Sequence, residues 1–136
     1  MLMPRKTKYR KSHKGRKGGK ATSGLKVSFG SYGLKALENS WVTARQIEAA
    51  RRVLTRYIKK GGRIFCRIFP AKPVTLKGGE IPMGKGKGAV DHYVCVVKPG
   101  MVMFEIEGTT EAEAKEAMRF AGDKLPIKSR FVKANE

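Results

Sequence analysis

The clearest periodic stretch lies just after residue 43. Ile47, Ala50, Leu54, Tyr57 and Ile58 recur at the three- and four-residue spacing that gathers them on one side of a helix, while Arg45, Arg52, Arg56 and Lys59 fall on the opposite side. Thr43-Ala44-Arg45-Gln46 has the form of a capping box, Gly61-Gly62 supplies a stop, and nothing between is Gly or Pro. The pattern predicts a helix over about 44–60 with one packed face and one cationic face. After the glycines the period drops to two. Ile64, Cys66 and Ile68 alternate with Arg63, Phe65, Arg67 and Phe69, which predicts a strand whose second face mixes aromatic rings with guanidinium groups. Two readings of that face stay open, Arg stems packed over Phe rings and direct contact with RNA.

Further strands are predicted over about 90–98 and 101–107, joined at Pro99-Gly100. Thr110-Glu111-Ala112-Glu113 then forms a second capping box. Ala114, Ala117, Met118, Ala121 and Leu125 repeat at three and four, so a helix over about 111–124 follows, and Pro126 bars its continuation before a last strand near 127–132. Upstream, Val27 and Phe29, then Leu34 and Leu37, broken by Gly30 and Gly33, suit a hairpin. The expected architecture is α+β, one compact domain over 26–136 of mostly antiparallel sheet with two helices.

Charge changes this picture. The 136 residues suit one domain, and 30 Lys and Arg against 11 Asp and Glu leave a formal charge of +19. Self-repulsion at that density calls for a polyanionic partner, nucleic acid or an anionic membrane. No run approaches the roughly 18 apolar residues of a membrane span. The start, Met1-Leu2-Met3-Pro4 before a basic run, lacks the apolar region of a secretory signal, and the run is Gly-rich rather than amphipathic, unlike a mitochondrial import signal. A cytosolic chain, or one made inside an organelle, is expected. The first carboxylate is Glu38, and Arg5 to Lys20 reads RKTKYRKSHKGRKGGK. With Tyr9 as its sole sizeable apolar group, this stretch cannot offset its ordering entropy by forming a core. Residues 1–25 therefore read as an extended basic arm laid into RNA, in preference to a solubilising tail. Residues 105–123 hold six acids against Lys115 and Arg119, so the second helix should face away from any polyanion.

The loop at 77–88 invites a phosphate-binding reading. Gly79 to Lys85 fits G-x-x-x-x-G-K, but Gly86 stands where Ser or Thr would ligate magnesium, Pro82 interrupts, and a strand follows instead of a helix. A nucleotide P-loop is not expected. Alternating Lys and Gly instead let backbone approach a phosphate closely while Lys85 and Lys87 supply charge, and the competing reading is a solvated hairpin tip. Cys66 and Cys95 have no CxxC partner or metal-ligand spacing and read as buried structural thiols. His13 lies in the arm, and His92 sits beside Asp91 on a strand. No nucleophile has sequence-local company, so no catalytic residues, metal or cofactor are expected, and no enzyme.

The segments MLMPRKTKYRKSHKGR, TARQIEAARR, RIFCRIFPAKPVT, MGKGKG and KLPIKSRFV, in this order, resemble the bacterial large-subunit ribosomal protein family L-sixteen, shared with archaeal and eukaryotic relatives. The resemblance implies a hammerhead-type α+β fold and a structural, late-assembling constituent of the large subunit, without homo-oligomers. It also implies contact with large-subunit rRNA through Arg5, Lys6, Lys8, Tyr9, Arg10, Lys11, Lys14 and Arg16 of the arm and Arg45, Arg52 and Arg56 of the helix. Met83, Gly84, Lys85, Gly86, Lys87 and Gly88 would face tRNA in the aminoacyl and peptidyl sites, with neighbouring large-subunit proteins as further partners. The chain departs from the family pattern at Pro82, where Arg is usual, at Gly78-Gly79, where a Pro-containing pair is usual, and at Ala71, where an acid is common. Composition alone leaves two other classes standing, a free nucleic-acid chaperone and a membrane-surface protein, although the arm lacks the apolar residues that insertion needs.

Overall fold

The structure, a computed structural model, describes residues 2–5, 24–58, 61–76 and 89–135. Lys59 and most of the basic run, like the Gly/Lys loop at 77–88, lie outside the described residues. The first helix, α1 (Ala44–Tyr57), forms where the period put it. Thr43 Oγ1 accepts from the Gln46 N–H at 3.2 Å, and Gln46 Oε1 accepts from the Thr43 N–H at 2.9 Å. Ile47, Ala50 and Leu54 are fully buried. The helix is shorter than the sequence pattern suggested because Ile58 is already extended, which keeps its side chain against the core. Tyr57, expected on the packed face, is instead exposed at the helix edge, its ring stacked on Phe120 of α2 (Glu111–Gly122) with centroids 5.4 Å apart. In α2, Ala114, Ala117, Met118 and Ala121 are buried, as their spacing required.

The strands are β1 (Tyr32–Ala36), β2 (Ser40–Thr43), β3 (Arg63–Cys66), β4 (Lys72–Leu76), β5 (Ala89–Val97), β6 (Val102–Glu107) and β7 (Ser129–Lys133). They form two antiparallel sheets, one in the order β3-β6-β1-β7 and the other β2-β5-β4. The expected α+β class holds, with α2 against β1 and β7 and α1 in the crease, touching β3 of one sheet and β2 and β5 of the other. The core lies between the larger sheet and the helices. Leu34 opposes Phe104, Tyr32 opposes Ile106, and the register slips between Leu34 and Lys35. The slip leaves Met103 without a Cα partner on β1, and Met103 and Phe104 both join the core cluster.

Three expectations are corrected. The hairpin suggested by Val27, Phe29, Leu34 and Leu37 does not form, since β1 pairs with β6 and β7 and residues 24–31 contain no strand. Its physical reason is Gly33. A Cβ there would meet the Val27 side chain at 2.9 Å, so the missing side chain lets the 24–30 segment lie flat across the sheet face opposite the helices. The strand predicted over 63–69 stops at Cys66; the Arg67 N–H still reaches Met103 O at 2.9 Å before the chain leaves for the second sheet. Finally, Cys66 and Cys95, read as buried thiols, are only partly buried.

Candidate nucleic-acid interface

The cationic face of α1 survives folding as a surface. Arg45, Arg52 and Arg56 are all exposed, because the turns that bury Ile47, Ala50 and Leu54 rotate them outward. Glu48 breaks the line of charge at one point only partly. Its carboxylate takes a two-point hydrogen bond from Arg51, which holds its pKa down to about 2, and Arg51 is thereby neutralised. Arg52 stands 3.5 Å from the same carboxylate, but its side chain remains 73% exposed and free to turn toward solvent.

Of the other residues assigned to rRNA by resemblance, Arg5 is exposed beside Leu2, which packs against the core. Lys6, Lys8, Tyr9, Arg10, Lys11, Lys14 and Arg16 lie outside the described residues, as do Met83, Gly84, Lys85, Gly86, Lys87 and Gly88. What the structure adds on that side is where the described chain resumes. The Gly24 carbonyl accepts from the Val102 N–H at 2.8 Å, on the sheet face away from the helices.

The segment that follows Gly24 packs on the Arg/Phe strand. Glu105 of β6, fully buried, accepts from the backbone N–H groups of Ser28, Phe29 and Gly30 at 3.0, 2.7 and 2.8 Å on one oxygen, and from Arg67 Nη1 at 2.7 Å on the other. Arg67 also donates to the Lys26 carbonyl and lies over the Phe29 ring. Arg67 is thus tied into the fold, as the packing reading of that strand expected. Burial alone would push the Glu105 carboxyl up, but the N–H groups of Gly30, Phe29 and Ser28, with Arg67, outweigh it and hold the pKa below the ordinary value. Sequence reading counted Glu105 among the acids of an outward face. The signal it missed was an acid flanked by Met103, Phe104 and Ile106, a position where a charge survives only if paired.

Chemistry elsewhere is quiet. Burial pushes the Cys66 and Cys95 thiols up, away from the reactive thiolate, as structural thiols should be. His92 Nδ1 and Asp91 Oδ2 are 2.6 Å apart on an exposed stretch of β5. Among the described residues, no group of three or more His, Cys, Asp or Glu side chains could hold a metal ion, and no helix is long and apolar enough to cross a membrane.

Comparison with known proteins follows the same direction. The profile of the family described as ribosomal protein L16p/L10e matches residues 4–132. The chain is 57% identical over 136 residues to the large ribosomal subunit protein uL16 of Gloeobacter violaceus, covering all of this chain and 92% of that protein. To the protein of the same name from Trichodesmium erythraeum it is 58% identical, covering all of this chain and 99% of the other.

Proposed function

Because the chain belongs to the ribosomal protein L16p/L10e family, we propose that it is a late-assembling structural constituent of the large subunit that grips large-subunit rRNA with its basic arm and the outer face of α1. The family match over 4–132 carries this reading. The geometry supports the choice of gripping face, since Arg45, Arg52 and Arg56 project from a helix whose other side is locked into the core. As a ribosomal protein it works by binding and shaping, not by catalysis. Its partners are then large-subunit rRNA, neighbouring large-subunit proteins and tRNA, and its place is the bacterial cytoplasm or an organellar ribosome.

The test is co-sedimentation. In a sucrose gradient of cell extract the chain should travel with large subunits through moderate salt; a chaperone would stay in the soluble pool and exchange among RNAs. Its affinity for isolated large-subunit rRNA should fall with salt at a log-log slope on the order of −6 to −7 for about eight phosphate contacts. A slope near zero would remove the phosphate-led mechanism.

The loop at 83–88 is the proposed tRNA-facing element, its two lysines meeting the acceptor region near the peptidyl transferase centre. Lys85→Ala with Lys87→Ala should therefore uncouple assembly from translation. Subunits should form, since the arm and α1 still dock, and should bind aminoacyl-tRNA and form peptide bonds more slowly. Wild-type rates with purified mutant subunits across a range of magnesium concentrations would leave the loop as a solvated tip.

A further inference from the structure

The sheet face turned away from the helices carries a feature that phosphate binding does not require. Phe29 keeps 60% of its surface exposed, yet its own N–H and those of both neighbours, Ser28 and Gly30, are all committed to one buried carboxylate oxygen. Fixing a loop costs backbone entropy, and an exposed phenyl ring gains nothing from being fixed unless something lands on it. Gly30 shows how closely the loop is held. A Cβ at that position would sit 2.6 Å from the Ile106 carbonyl oxygen, so the loop lies directly on β6 and Phe29 cannot swing inward.

Beneath the ring, Phe65 and Arg67 stand two residues apart and so share one side of the chain. The Phe65 ring centroid is 5.8 Å from that of Phe29 with 30° between planes, and the Arg67 guanidinium carbon is 5.4 Å from the Phe29 centroid. With both groups against it the ring still keeps 60% of its surface exposed, so ring surface is left to solvent. Beside it opens a cleft of about 420 Å³ lined by Phe29, Ile64, Phe65, Cys66 and Arg67. Lys26 is exposed three residues before Phe29, and Arg63, two residues before Phe65, is 74% exposed with its Nε 3.8 Å from Glu107.

We propose that the outer face of Phe29 and the adjoining cleft form a stacking site for one unpaired RNA base, with Lys26 and Arg63 meeting the phosphates on either side. Phe65 and Arg67 are positioning residues that hold the platform. A base fits better than an apolar protein side chain because the ring offers a flat π-face with the exposed Lys26 and Arg63 close to it in the chain, and the described chain resumes after the basic run at Gly24, against Arg67. The site lies on the opposite side of the sheet from α1, so it is a contact separate from the helix face. It rests on the RNA-binding reading above and adds to it a base contact, insensitive to salt.

The experiment uses the full chain, an oligoadenylate of about twelve nucleotides, and an abasic ribose-phosphate oligomer of equal length. Phe29→Ala and Phe29→Leu should each weaken oligoadenylate binding about tenfold, the lower part of the range for loss of one stacked base. Phe29→Trp should restore it, and all variants should bind the abasic oligomer like wild type with an unchanged salt slope. Melting temperatures close to wild type for the three variants show that the fold is kept, as expected for an exposed ring whose anchoring bonds are made by backbone. Equal losses on both oligomers, or wild-type oligoadenylate affinity in Phe29→Ala and Phe29→Leu, overturn the stacking site. If the same variants keep oligoadenylate affinity but fail to enter large subunits, the platform docks a protein and the base-stacking proposal is wrong. If wild type binds neither oligomer nor large-subunit rRNA, the broader RNA-binding reading falls with it.

Discussion

Glu105→Ala should destabilise the chain by about 3–5 kcal/mol, the largest loss expected from any single substitution on the far face of the sheet. The carboxylate is fully buried and absorbs four donors: three consecutive backbone N–H groups and Arg67, whose side chain is itself only 17% exposed. Removing it takes the carboxylate from the guanidinium, which keeps the Lys26 carbonyl, and leaves the three amides without that acceptor, and each unpaired buried donor costs about 1–3 kcal/mol. Against a typical total of roughly 5–15 kcal/mol this is a large fraction of the margin. Glu105→Gln, which keeps one carbonyl oxygen for the amides but turns an amide group toward Arg67, should fall between. Because its folded pKa is depressed, the Glu105 contribution is complete above its unfolded value near 4.3 and is lost as pH falls below that value toward the folded one. Wild-type stability should therefore decline on acidification below about pH 4.3, and Glu105→Ala should decline less steeply. Glu48, lowered to about 2 by Arg51, acts in the same direction, so some acid sensitivity remains in the variant. Urea titrations from neutral pH downward measure both effects. A midpoint stability for Glu105→Ala within about 0.5 kcal/mol of wild type, the range of an ordinary surface change, would mean that the carboxylate does not anchor the loop.

Charge reversal on α1 should have the second large effect, on assembly instead of folding. Arg52→Glu together with Arg56→Glu removes the two arginines proposed to meet phosphate; with charge-assisted contacts of about 1.5–3 kcal/mol each, rRNA affinity should drop by roughly two to four orders of magnitude. Both side chains project from the helix face opposite Ile47 and Leu54, so the circular dichroism spectrum should not change. Reversal of Glu111 and Glu116, exposed on the neighbouring helix, serves as the comparison. It breaks the Glu111–Lys133 ion pair, whose oxygen and nitrogen are 2.6 Å apart, but such exposed pairs contribute about 0–1 kcal/mol. Incorporation into large subunits, read on gradients, should fail for the arginine variant and persist for the acidic one. Equal failure of both would show that α2 faces the RNA as well, which its position beside α1 makes geometrically feasible.

Much of this molecule is legible one residue at a time. The two helices follow from three- and four-residue spacing and from Thr43 and Thr110 at their starts, since helical burial and capping are local properties that need no knowledge of distant chain. The cationic face of α1 follows from the same geometry. β2 escaped notice because it is short and is defined by pairing with β5, more than fifty residues along the chain, whereas β4 pairs with β5 directly across the 77–88 loop. The hairpin assigned to 27–37 failed for a related reason: Gly30 and Gly33 resemble turn residues in sequence, whereas in the fold they are points where another segment approaches too closely for a side chain.

Glu105 marks the boundary between what local pattern can and cannot decide. The sequence by itself determined the fold class, the helices, the basic surface and, through the resemblance it carries, the family. Those properties depend on composition and on residues only a few positions apart. The tertiary structure alone decided that Glu105 is interior, that Arg67 is paired with it, and that Phe29 stays exposed beside both. Those facts depend on residues 38 to 77 positions apart in the chain, brought within hydrogen-bonding distance when the 24–30 segment lies across β6. The sign and use of a charge are set by what surrounds it, and its surroundings exist only once the chain has folded.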